Sequence, residues 1–196
     1  MKVVRVNDKE LIDRYLDGEI SCLESLINRH KNRVFAYILM VVKDRQLADD
    51  IFQDTFIKVI NTIKAGAYKE EGKFIQWVMR IAHNLIIDFF RKAKRIPVME
   101  NNNNGDFNIF DTISAKDHSI EEKIITEQIH NDVRSLIEYL PPEQKEVLYL
   151  RHYVGMSFKD IADQTDVSIN TALGRMRYAL INLRKLVKDK NIILTL

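Results

Sequence analysis

Apolar residues recur at steps of three and four along most of the chain, and alternating apolar–polar runs are nearly absent. That period stripes one face of an α-helix, so it predicts an all-α protein. Punctuation divides the pattern. Asn7 with Glu10 and Ser21 with Glu24 have the spacing of capping boxes, and Asp17-Gly18 closes a first short helix between them. A second helix is expected over about Cys22–Val42, striped by Leu23, Leu26, Ile27, Val34, Ile38 and Val41. Asp44 stands where a third helix needs its cap. That helix carries Leu47, Ile51, Phe56, Val59 and Ile63 and stops near Gly66. A fourth runs from about Phe74 to Lys94, and Pro97 forbids its continuation.

The pattern then breaks. "IPVMENNNNGDFNIFDTISAKDH" holds four consecutive asparagines, a glycine and scattered acids without helical period, the composition of a flexible or extended linker. Beyond it a helix is expected over about Ile120–Tyr139, opened by Ser119 and Glu122 at capping spacing. Pro141-Pro142 starts the next, with the second proline pre-set for the first turn, and Gly155 ends it. Ser157 and Asp160 frame a helix of little more than two turns, "TDVS" makes a turn, and Val167–Lys190 reads as one long final helix. The expected architecture is two small helical bundles joined by a flexible linker. An N-terminal segment with a short helix covers 1–21, the first bundle 22–95, the linker 96–119 and the second bundle 120–190.

Composition narrows the function. With 46% hydrophobic and 30% charged residues the chain is an ordinary globular one. Its longest apolar run, "YILMVV", is far too short to span a bilayer, so no membrane insertion is expected. The N-terminus lacks the apolar core of a signal peptide. One cysteine, Cys22, excludes an internal disulfide framework, and the five histidines show no metal-ligand spacing. These features point to a cytoplasmic protein without metal or other cofactor, and no residue is assigned a catalytic role.

Charge distribution changes the picture more than its total. Lys64–Arg95 holds eight basic and three acidic residues, and Ser168–Leu196 six and one, so each block is net +5. The chain between them is acidic, with net −5 over Ile96–Glu127. Two basic blocks set apart in this way suggest two separate anionic contact surfaces.

The second block contains a motif. A short helix, a turn of about four residues and a longer basic helix make a helix-turn-helix, here about 157–178, whose second helix enters the major groove by its N-terminal part. On the long helix Ile169, Ala172, Met176, Leu180, Leu183 and Val187 form the expected core stripe. Thr171, Gly174, Arg175 and Tyr178 form another face, with hydrogen-bonding groups and an arginine able to fork onto a guanine or a phosphate. Gly174 costs about 1 kcal/mol inside a helix. The cost makes sense where another backbone or another helix must come close.

"LADDIFQDTFIKV" and "GKFIQWVMRIAHNLIIDFFRKAKR" resemble region 2 of bacterial extracytoplasmic-function sigma factors, and "LPPEQKEVLYLRHYVGMSFKDIADQTDVSINTALGRMRYAL" resembles their region 4. The resemblance spans about Leu23–Leu186, with both motifs in order. It implies an alternative sigma factor that binds core RNA polymerase and directs initiation at the −35 and −10 elements of promoter DNA. It implies a polymerase contact at Asp49, Asp50, Gln53, Asp54 and Phe56, an acidic and polar face suited to a basic partner. It places −10 recognition at Tyr68, Lys73, Trp77, Arg80, Asn84, Arg91, Lys92 and Arg95. Basic residues beside aromatics suit single-stranded DNA, and the loop Gly66–Gly72 suits a flipped base. For Trp77 a place in the core, with Phe74, Ile81 and Leu85, is an equal alternative to stacking. It places −35 recognition at Ser168, Asn170, Thr171, Gly174, Arg175, Arg177 and Tyr178. Many family members carry a basic residue where this chain has Leu173, which moves weight onto Asn170, Thr171, Arg175 and Tyr178. An anti-sigma factor is a further partner usual in the family. The alternative is a helix-turn-helix regulator with an N-terminal sensor or dimerisation bundle, which would bind palindromic sites as a dimer.

Overall fold

The computed structural model of the chain describes residues 6–69, 71–93, 132–133 and 135–192. The described residues form helices and turns, with no strand among them. The chain divides into two compact units, Met1–Asp106 and Phe107–Leu196. The linker 96–119 lies outside the described residues, as does most of the helix expected over about Ile120–Tyr139.

Among the described residues the first unit has four helices: α1 Asp8–Leu16, α2 Ile20–Val42, α3 Arg45–Lys64 and α4 Phe74–Ala93. Asn7 caps α1 by accepting the Glu10 N–H at 2.8 Å, and Asp44 caps α3 by accepting the Leu47 N–H at 2.8 Å. The expected cap at Ser21 fails. Gly18 turns the chain at φ +108°, the Glu19 N–H bonds the Arg14 carbonyl at 2.9 Å, and α2 has begun by Ile20. Ser21 therefore lies inside the helix. The Arg14–Glu19 ion pair, 2.6 Å, closes the same corner.

Helix α2 packs against α1, α3 and α4. This explains why more than one stripe of it is buried: Leu26, Val34 and Ile38 as the pattern predicts, and also Ala36, Tyr37, Leu39 and Met40. Its predicted stripe residues Leu23, Ile27 and Val41 are only half-buried. Ala48, Ile51, Val59 and Ile63 of α3 and Val78, Met79, Ala82 and Ile86 of α4 complete the core. A polar cluster ties α1 down. The Asp8 carboxylate pairs with the Arg29 guanidinium and lies 2.9 Å from Nε2 of buried His30. Burial pushes the Asp8 carboxyl up, but its hydrogen bonds with His30 and Arg29 outweigh burial and hold it below its ordinary 3.8.

In the second unit Leu136, Ile137 and Leu140 are buried ahead of α5, Pro142–Tyr149, which has proline in its first turn as expected. The chain then widens into a π-helical turn, Leu150–Val154, before Gly155 at φ +80°. The single α-helix expected up to Val154 thus ends at Tyr149. The Met156 N–H reaches back to the Leu150 carbonyl at 3.0 Å, and Arg151 donates to the Met156 carbonyl at 2.8 Å, so groups freed by the wide turn are satisfied. Helix α6, Phe158–Gln164, starts at a complete capping box of Ser157 and Asp160. Helix α7, Ile169–Asp189, packs on α5 and α6, and Asn182 donates to Gln144 of α5 at 2.9 Å.

The core edge of α7 departs from the predicted stripe. Ala172 and Met176 are buried, but Ala179 takes the place expected for Leu180. Ile169 and Leu180 are exposed, and Leu183 and Val187 are half-buried. Two neighbouring helices press on α7, and the small side chains of Ala172 and Ala179 let their backbones come near.

Candidate nucleic-acid and partner interfaces

On α3 the residues Asp49, Asp50, Gln53 and Asp54 are all exposed, and their spacing sets them near one face. Phe56 does not join them. It is buried, with its ring 4.8 Å from that of Phe52, so it packs the bundle rather than meeting a partner. The face holds instead a residue that pattern reading passed over. Ile57, one turn beyond Gln53 and Asp54, is 56% exposed. It borders a groove of about 450 Å³ that runs from Asp54 past Asn61 to Ala65 and Leu85 of α4. The signal was present in the sequence, because Ile57 falls opposite the stripe of Ile51, Val59 and Ile63.

Lys73, Trp77, Arg80, Asn84 and Arg91 follow one line down α4 at steps of three, four and seven. Lys73, Arg80, Asn84 and Arg91 are exposed, and Lys92 is exposed beside the line. Arg91 pairs with Asp88 at 2.9 Å, an exposed contact that a phosphate can displace at little cost. Arg95 lies outside the described residues. Trp77 is neither core nor bare. It is half-buried, stacked on Tyr68 with ring centroids 4.1 Å apart and 28° between planes, and tilted against buried Phe74 at 5.9 Å. Ile81 and Leu85 are half-buried. A cavity of about 290 Å³ opens beside the stacked pair, lined by Ala67, Tyr68, Lys69, Glu71, Lys73 and Trp77. Gly66 and Gly72, at φ +65° and +74°, let the loop fold back so that Tyr68 reaches α4.

In the second unit Asp166 takes φ +52° in the turn between α6 and α7, and Ser168 begins α7 by accepting the Thr171 N–H at 3.0 Å. The Ser168 and Thr171 hydroxyls also lie 2.8 Å apart, so Ser168 serves first as a cap. Asn170, Thr171, Arg177 and Tyr178 are exposed, while Gly174 and Arg175 are half-buried. The two reasons for a glycine at 174 can now be separated. A Cβ built there would have nothing within 4 Å, so no neighbouring helix of this unit requires it. The open space lies on the face that carries Asn170, Thr171 and Tyr178. Helix α7 is thus capped, basic along its exposed side and open at Gly174 in its N-terminal half, the form of a recognition helix for duplex DNA.

A helical bundle with an aromatic and basic surface, followed by a helix-turn-helix, has the form of a nucleic-acid-binding protein. Comparison makes this specific. Residues 26–96 match the model of Sigma-70 region 2, and residues 130–178 match the model of Sigma-70, region 4. The chain belongs to the extracytoplasmic-function group of RNA polymerase sigma factors, and as such it works in transcription initiation with core RNA polymerase and promoter DNA. It is similar to the RNA polymerase sigma-H factor of Pseudomonas aeruginosa, 27% identical over 171 residues that make up 86% of this chain and 88% of that one. It is also similar to the ECF RNA polymerase sigma-E factor of Haemophilus influenzae, 25% identical over 95% of this chain and 96% of the other. Among solved structures the fold is shared with CnrH in its complex with the cytosolic domain of CnrY, at TM-score 0.56 and 21% identity, covering 93% of this chain and 97% of that one. It is shared too with the sigma factor RpoE of Bartonella quintana, at TM-score 0.55 and 18% identity, covering 84% and 96%. No helix among the described residues is long and apolar enough to cross a membrane.

Proposed function

We propose that the two units divide promoter recognition between them on core polymerase. The exposed carboxylates of α3, Asp49, Asp50 and Asp54, with Gln53, dock on a basic surface of the enzyme. The line from Lys73 to Arg91, with Tyr68 and Trp77 at its head, holds the melted −10 element. The N-terminal half of α7, from Asn170 to Tyr178, reads the duplex −35 element. The protein brings no chemistry of its own and acts in the cytoplasm, where the polymerase is.

The observation that carries this reading is the pairing of unlike surfaces on one chain. An aromatic cavity flanked by lysines lies in the first unit, and a bare, basic recognition helix lies in the second. A protein partner that holds the factor inactive is part of the proposal. Of the two proteins that share the fold, the Bartonella RpoE was found in complex with the anti-sigma factor NepR, and CnrH in complex with the cytosolic domain of CnrY.

The test is run-off transcription with core polymerase on genomic fragments, followed by lengthening the spacer of an active promoter one base pair at a time. Output should fall steeply within a few added base pairs, because the enzyme fixes the two units apart. Reversing Asp49, Asp50 and Asp54 to lysine should abolish co-purification with core polymerase. Output indifferent to spacing, or a triple reversal that still co-purifies, overturns the division of labour.

A further inference from the structure

The exposed side of α7 carries apolar residues that neither hydrogen bonding nor phosphate contact explains: Ile181, 44% exposed, and nearer the start of the helix Leu173. Leu173 is 44% exposed, in the N-terminal half of the helix. Asn170 stands one turn before it and Arg177 one turn after, both exposed. Gly174, next to it, has nothing within 4 Å of the place a Cβ would occupy. An apolar protein surface is a poor occupant for this spot. The exposed side of the same helix carries Arg177, Arg184, Lys185 and Lys188, which favour a polyanion. The missing side chain at 174 lets the backbone come near the floor of a groove, within reach of a leucine. The edges of base pairs in the major groove offer mainly donors and acceptors, and the apolar group they present is the C5 methyl of thymine.

We propose that Leu173 packs against a thymine C5 methyl and so specifies thymine at one position of the upstream element. The inference rests on the reading of α7 as the upstream reader. Asn170 and Arg177 would flank the contact, Asn170 with the amide that forks onto adenine and Arg177 with the guanidinium that forks onto guanine or meets a phosphate.

The test uses the full chain on core polymerase. Sequences are first enriched from duplexes randomised across the upstream element. Each thymine of the enriched site is then replaced by deoxyuridine, which removes the methyl and leaves every hydrogen-bonding group in place. One replacement should weaken binding about four-fold, the worth of one buried methyl group. Leu173→Ala should bind the thymine and deoxyuridine duplexes equally, Leu173→Met should keep the preference, and Leu173→Arg should select guanine there. Because Leu173 is exposed, these variants keep the fold, which the unit's melting temperature reports. An enriched site at which no deoxyuridine matters, or one at which Leu173→Ala keeps the same sensitivity, overturns the thymine contact and leaves the upstream reader standing. Failure to enrich any sequence, or enrichment unchanged in Arg175→Ala, overturns the reader itself and the thymine contact with it.

Discussion

The two basic surfaces carry the same net charge, +5 over Lys64–Arg95 and over Ser168–Leu196, and differ in what accompanies it. In the first unit the cations flank Tyr68, Phe74 and Trp77 and a cavity of about 290 Å³. In the second they line the long helix α7 with polar side chains and a glycine whose missing side chain would meet no neighbour. Charge of this sign suits a nucleic acid, and its company separates the two forms: π-faces and a hollow suit unpaired bases, whereas amides and a guanidinium on a helix suit the edges of paired ones.

The sharpest way to break this contrast is a crossed pair of variants. Trp77→Ala should lose at most about 1–3 kcal/mol on single-stranded or pre-melted downstream DNA, the worth of one stacked base before the displaced Tyr68 stack is subtracted, and little on duplex upstream DNA. Arg175→Ala should do the reverse, losing about 1–3 kcal/mol of discrimination on duplex if it forks onto a guanine. Binding titrations of both variants on both DNAs decide the matter, and parallel losses would erase the distinction. Gly174→Ala comes next in size. It should stabilise the second unit by up to about 1 kcal/mol through helix propensity, because no neighbour obstructs a methyl there. The same variant should bind upstream duplex more weakly. Stabilisation without any loss of binding would show that no backbone approaches α7 at that point.

A smaller effect separates the units as folded bodies. Ser157→Ala removes the capping box of α6 and should cost the second unit about 1 kcal/mol. The melting of the first unit should stay unchanged, which calorimetry resolves. Acid does the opposite. Because the Asp8 carboxyl is held below 3.8, its contribution is fully present above that pH and is lost as pH falls further, through its lowered folded value. The first unit should therefore lose stability below about pH 3.8, less steeply in Asp8→Asn, as followed by its unfolding midpoint.

Much of the fold could be read from the chain because its signals are local. Asn7, Asp44 and Ser157 cap where they stand. Pro142 and Gly155 bracket the region where the pattern places a helix, although its last turn widens. What could not be read depends on neighbours. Ala179 rather than Leu180 lines the core because two helices crowd α7 from one side. Phe56 left the proposed partner face because the bundle needed it, and Ile57 joined that face for the converse reason. At the candidate site the residue types on α4 and α7 were legible. The stacking of Tyr68 on Trp77 was not, because a loop turned by two glycines brings together side chains nine residues apart.

If the aromatic cavity takes a base, as proposed, that stack makes the recognition an exchange. In the free protein Tyr68 already occupies one face of Trp77, as a base would. An aromatic pair of this kind is worth about 0.5–1.5 kcal/mol beyond burial, and a base on an aromatic ring about 1–3 kcal/mol. A nucleotide that takes that face of the tryptophan must therefore outcompete an incumbent already held by the chain. Only the difference remains to favour strand capture, so a weakly stacking base gains almost nothing. On the proposed reading the tyrosine would act as an internal competitor that sets a threshold, below which a strand that has opened by chance is left to close again.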